Sequence, residues 1–185
     1  QVLKMSKMSK IVEFALEKKH REYFDSVEGA KKHMQERSLV EDEYYKIPKM
    51  IYRTQVESRD MFGCQMVLFN DVEDAEHLVI YHHGGAYVDE IMIPHITFCD
   101  KLAKKANPCV FAPIYPLAPN HIYEETYDIV ENLYKHLLTF DKPIAIMGDS
   151  AGGGLAVAFC EYLAANGLPQ AENLIAISPW IDISM

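Results

Sequence analysis

Hydrophobic positions follow two rhythms along this chain. Four short, continuous apolar runs have the length of strands: Leu78-Val79-Ile80-Tyr81, Cys109-Val110-Phe111-Ala112, Ile144 to Met147, and Leu174 to Ile177. Unbroken runs of this kind read as strands of a sheet covered on both faces. Helical spacing lies between them, over 95–106, 123–139 and 153–165. In the middle segment Tyr127, Val130, Leu133, Tyr134, Leu137 and Leu138 share a face. Glu124, Glu125 and Asp128 stand early in it and Lys135 and His136 late, as the helix dipole favours. Asn107-Pro108 and Asn166-Gly167 are stop signals for the first and third helices.

Upstream, Ile51 to Val56 and Cys64 to Phe69 read as two strands, with 58–63 as their hairpin connection. Residues 4–37 carry Ile11, Phe14 and Ala15 on one helical face, with Tyr23 and Phe24 extending it. This predicts one or two amphipathic helices broken near Gly29. Strands alternating with helices imply an α/β fold in three layers around a mostly parallel sheet.

Composition narrows the class. The 185 residues suffice for one core-forming domain. A net charge of −9 disfavours nucleic acid and anionic membrane surfaces as partners, since both select basic patches. The four cysteines, Cys64, Cys99, Cys109 and Cys160, stand far apart and make no C-x-x-C pair, which argues against a zinc site. No secretory signal and no run of membrane-span length are present. Reduced thiols and a cytoplasmic setting are therefore expected.

The chemistry concentrates in Gly148-Asp149-Ser150-Ala151-Gly152, a G-x-S-x-G sequence between an apolar run and a helical pattern. Strand, sharp turn and helix is the context of a nucleophile elbow. Gly148 and Gly152 leave the room that such a turn needs. Ser150 Oγ would project above the sheet, and the Ala151 N–H at the helix start would face a developing oxyanion. A phosphate-cradling loop is the competing reading, but the Lys of G-K-[ST] is absent. A second glycine loop, His83-Gly84-Gly85-Ala86, follows the Leu78–Tyr81 run, as an oxyanion-hole loop would. His82 and His83 are adjacent on an extended strand and point to opposite faces, so they make a poor metal chelate, and no metal site is expected.

YHHGGAYV, IYPLAPNHIYEETYD, GDSAGGGLA and ISPWIDIS together resemble the hormone-sensitive-lipase-like esterases of the α/β-hydrolase superfamily. The resemblance runs from about residue 60 onward and more weakly through the N-terminal helices. It implies carboxylic ester hydrolysis without a cofactor. Residues 1–48 would form a helical cap-like segment, and 49–185 the N-terminal part of the catalytic domain. Ser150 would be the nucleophile. Gly84, Gly85, Ala86 and Ala151 would form the oxyanion hole, with Gly84 shaping its loop. His83, Gly148, Asp149 and Gly152 would support the two motifs. The third glycine of the usual loop is here Ala86.

A serine hydrolase of this class places its acid and then its base after the serine. All eight histidines precede Ser150, and the carboxylates after it are Glu161, Glu172 and Asp182. Asp182 is weighed as an acid against a loop or helix-capping role; by resemblance it belongs to a structural segment. The expectation is a hydrolase fold incomplete at its C-terminus, with acid and base beyond Met185, little activity of its own and an exposed sheet edge that leaves homo-oligomers open. The partner expected is a small-molecule ester with a short or medium acyl chain. An amidase or formamidase, or a non-catalytic small-molecule receptor, are the alternatives.

Overall fold

Six strands form one sheet in the order β1-β2-β4-β3-β5-β6. They are β1 (Val56–Met61), β2 (Cys64–Phe69), β3 (Leu78–His82), β4 (Cys109–Pro113), β5 (Ile144–Asp149) and β6 (Asn173–Ile177). The computed structural model describes residues 23, 25–40 and 43–182. β4, β3, β5 and β6 run parallel, while β2 is antiparallel to β1 and β4. The α/β reading with a mostly parallel sheet therefore holds.

Each buried strand sends alternate side chains to opposite faces. Leu78 and Ile80 of β3 join Met66, Leu68 and Phe111 against Val130, Leu133, Leu137 and Phe159. Those last four belong to α3 (Tyr123–Leu138) and α4 (Ala151–Ala165). Val79 and Tyr81 face the other way, with Val67, Phe69 and Val110, against Ile96, Cys99 and Ala103 of α2 (Ile93–Ala106). Helices on both faces make the three layers. Full burial of this kind contributes roughly 1.5–3 kcal/mol for each large apolar side chain.

Helix ends match their sequence signals. Asn107 closes α2 in the left-handed conformation, and its N–H donates to Ala103 O. The Glu125 carboxylate reaches back to accept from Ile122 N at 3.3 Å, the acidic half of a capping box.

Three expectations need correction. The first hairpin strand begins at Val56, where it was expected to end, and its turn is Phe62–Gly63 alone. Gln55 O still accepts from Asn70 N at 2.9 Å, but the pairing goes no further back, because the Arg53 and Thr54 N–H groups donate to Asp100 Oδ1, at 2.8 and 3.1 Å. The last strand was expected to be buried, yet Leu174, Ile175 and Ile177 are 40–44% exposed. β6 pairs with β5, and no strand lies on its other side among the described residues.

The third correction concerns the N-terminal part. The chain divides into two compact units, Gln1–Asp42 and Glu43–Met185. In the first, the break expected near Gly29 falls earlier, at the bend of residues 25–26 after helical Tyr23, and α1 (Val27–Ser38) runs through Gly29. Ser26 caps the helix, and its Oγ accepts from Gly29 N at 3.0 Å. Gly29 thus sits in the first turn, where a capped N–H needs no helical partner. Tyr23 stacks on His33 within this unit, with ring centroids 4.2 Å apart. The helix expected around Ile11 and Phe14 lies outside the described residues.

Candidate active site

The site forms where β3 and β5 end side by side. Their register pairs His82 with Gly148, so the two loops leave the sheet together. β5 then turns sharply into α4 through Ser150, which has φ 50° and ψ −120°. A non-glycine residue in this region stores strain of order 1–3 kcal/mol and persists only where its surroundings hold it. Three backbone bonds do so here. Ser150 N donates to Ile177 O at 3.0 Å, and Ser150 O accepts from Gly154 N at 3.0 Å and from Trp180 N at 2.8 Å. The Ser150 side chain is left exposed.

Two glycines are required by close approach. A Cβ on Gly148 would overlap Gly152 O, and one on Gly152 would overlap the carbonyl oxygens of His82 and His83. The expected mechanical role of both is thereby visible as geometry.

The loop after β3 is the second component. Gly85 has φ 142°, and Ala86 and Tyr87 follow at 53° and 61°. This winds the chain so that Val88 N and Asp89 N both donate to Gly85 O, at 3.0 and 2.8 Å. The N–H groups of Gly85, Ala86 and Ala151 have no acceptor among the described residues. Gly84 differs from the three expected oxyanion donors: its N–H donates to Asp149 Oδ1 at 3.1 Å. That N–H is already engaged, which is compatible with the loop-shaping part expected of Gly84.

The histidines beneath this loop are structural in their contacts. His83 Nδ1 lies 2.8 Å from Gly84 O, and its ring stacks on Tyr115 with centroids 4.3 Å apart. Tyr115 Oη donates to His83 O at 2.5 Å. Burial pushes His83 down to about 4 and His82 down to about 3, so both are neutral near pH 7. His82 is fully buried, and neither ring nitrogen has a hydrogen-bond partner among the described residues. No group of three or more His, Cys, Asp or Glu able to hold a metal occurs among the described residues.

Asp149 is the electrostatic centre behind the serine. Burial alone would raise its carboxyl. Hydrogen bonds from His95 and Tyr81, the nearby His95 charge and the Gly84 N–H outweigh that and hold it below the usual range. Tyr81 Oη donates to Asp149 Oδ1 at 2.5 Å, and His95 Nε2 lies 3.4 Å from Oδ2. Sequence reasoning missed both partners. The available signal was a tyrosine closing an otherwise aliphatic run and a histidine just after Pro94 at a helix start. Asp182, weighed as a triad acid, is exposed. No helix among the described residues is long and apolar enough to cross a membrane.

A strained serine between parallel strand and helix, beside a glycine loop after the neighbouring strand, defines the α/β-hydrolase class of site. A family profile described as "alpha/beta hydrolase fold" matches residues 79–185, and the chain belongs to that family. It is 33% identical over 114 residues to an esterase of Acinetobacter venetianus, covering 60% of this chain and 38% of that protein. It is 31% identical over 149 residues to an ethyl acetate hydrolase of Pseudomonas putida, covering 74% and 47%. The crystal structure of an esterase from the bacterial hormone-sensitive lipase family superposes with a TM-score of 0.65 at 26% identity, covering 82% of this chain and 56% of that one. The resemblance carried by the four motifs therefore stands. This chain spans less than half the length of the two curated relatives.

Proposed function

We propose that the protein hydrolyses carboxylic esters of short or medium acyl length, with Ser150 as the nucleophile. The observation that carries this reading is the exposed Ser150 at φ 50°, beside three N–H groups without acceptors. In the proposed reaction Ser150 Oγ attacks the ester carbonyl carbon. The carbonyl oxygen becomes an oxyanion held by the N–H groups of Gly85, Ala86 and Ala151. Collapse expels the alcohol and leaves an acyl-serine, which water then cleaves to release the acid and regenerate the serine.

A serine hydroxyl needs a base to react at neutral pH. His83 and His95 are engaged by Gly84 O and Asp149, and no histidine follows Ser150. In this reading the base and its orienting acid come from sequence outside this chain, and no cofactor takes part. The names of the similar proteins, esterase and ethyl acetate hydrolase, support the ester class. The division of the chain after Asp42 supports a separate N-terminal segment, which we assign to a cap.

The test is mass spectrometry of the full-length native protein after treatment with a fluorophosphonate. We expect an adduct on the Ser150 peptide that Ser150→Ala abolishes, together with turnover of p-nitrophenyl butyrate. A folded protein that takes no adduct would refute the reading and favour a receptor on the same fold.

A further inference from the structure

A carboxylate stands directly behind the serine and touches three other elements. Asp149 closes β5. Its Oδ1 accepts from the Gly84 N–H of the glycine loop and from Tyr81 Oη of β3. Its Oδ2 faces His95 Nε2 at the start of α2. His95 is itself fixed, because its Nδ1 accepts from Met92 N at 2.9 Å. With Nδ1 taken by the Met92 N–H, Nε2 is the ring nitrogen turned toward Asp149. Packing is tight on the loop side as well, since a Cβ on Gly84 would lie 2.5 Å from Asp149 Oδ2 and 3.1 Å from Ser150 Cβ.

This arrangement is more than a surface ion pair. The carboxylate is part-buried, and one of its partners is a backbone N–H of the loop that carries Gly85 and Ala86. The two free N–H groups on that loop follow Gly84 directly in the chain. Their aim relative to Ser150 therefore depends on where Gly84 is held. A displacement of about 1 Å is enough to cost on the order of a hundredfold in rate when oriented groups must meet.

We propose that Asp149, oriented by Tyr81 and His95, is a positioning residue that keeps the Gly85 and Ala86 N–H groups in register with Ser150. The proposal rests on the ester-hydrolase reading above and adds to it three residues that touch no substrate. A carboxylate suits the task because it accepts several bonds at once, and a charged acceptor binds an N–H more strongly than a neutral one.

The experiment is steady-state hydrolysis of p-nitrophenyl butyrate by the full-length native protein and its Asp149→Ala, Asp149→Asn and Tyr81→Phe variants, each checked for folding by circular dichroism. Asp149→Ala is expected to lower kcat by about a hundredfold, the scale of losing one oxyanion donor, with KM within about threefold. Asp149→Asn keeps an oxygen for Gly84 N–H and should recover at least about tenfold of that loss. Tyr81→Phe removes one donor and should lower kcat by about three- to tenfold. A folded Asp149→Ala protein with kcat within about threefold of the parent overturns the proposal, and so does a loss confined to KM. Equal impairment of the Ala and Asn variants overturns it too. If Asp149→Ala does not fold, Tyr81→Phe decides: kcat lowered at constant KM supports the proposal and unchanged kcat overturns it. A parent with no Ser150 adduct overturns this inference and the ester-hydrolase reading together, whereas an adduct-forming parent with an indifferent Asp149 overturns only the former.

Discussion

The elbow at Ser150 and the hairpin turn at Phe62–Gly63 pose the same backbone problem and solve it under opposite conditions. Each holds a non-glycine residue at positive φ, 50° for Ser150 and 56° for Phe62. Around the hairpin there is space, and a Cβ on Gly63 would meet nothing within 4 Å. Gly63 is needed only for its φ of 76°. Around the elbow there is none: Gly148 and Gly152 are needed because backbone atoms already occupy the volume a side chain would take. One turn is a local preference, and the other is a strained conformation enforced by packing.

The largest test of that contrast is Gly152→Ala. Its Cβ would run into the backbone of β3, which cannot rotate away as a side chain can. We expect a loss of about 3 kcal/mol or more, seen as a collapse of the urea midpoint and of phosphonate labelling. A stable Gly152→Ala protein would show that the elbow has more room than described.

Acid should separate the two regions next. His82 and His83 lie at the site end of β3, whereas the hairpin from Val56 to Phe69 contains no histidine. Both histidines are depressed by burial, from 6.5 to about 3 and about 4. As pH falls below 6.5 the unfolded chain binds protons that the folded one refuses. Stability therefore declines from there toward about 4, by up to about 1.4 kcal/mol per pH unit for each histidine. The depressed Asp149 adds a loss of the same sign at lower pH. Urea unfolding at pH 6.5 and 5.5 measures this, and a flat profile would contradict the buried, neutral state.

The smallest effect is at the hairpin. Gly63→Ala should cost about 1 kcal/mol in thermal unfolding, the local price of left-handed φ for a residue with a Cβ. A cost matching that of Gly152→Ala would erase the distinction between the two turns.

Much of the α/β order was legible in the sequence because its strands are buried on both faces and read as unbroken apolar runs. β1 was not, since Val56-Glu57-Ser58-Arg59-Asp60-Met61 is a polar edge strand. The more apolar stretch before it has two of its N–H groups taken by Asp100, a partner about 46 residues away. The exposure of β6 was half legible: its apolar run reads as a covered strand, because such a run records what environment suits a strand and not what covers it, while the expected exposed sheet edge pointed the other way. At the site, Ser150 and the two glycine loops were readable as motifs. The Tyr81 and His95 contacts with Asp149 were not, because they join residues 68 and 54 positions apart that no local pattern links.

Ser150 has one further property, set by time rather than space. Its N–H is held by Ile177 and its carbonyl by Trp180, residues 27 and 30 positions downstream. A ribosome working at about 5–20 residues per second takes about 1.5–6 seconds to add that many. For that interval the turn has at most its local bond from Gly154 N, and lacks the two that come from Ile177 and Trp180. The bend at Ser150 is thus fastened in part from downstream, and its full geometry waits on chain made after it.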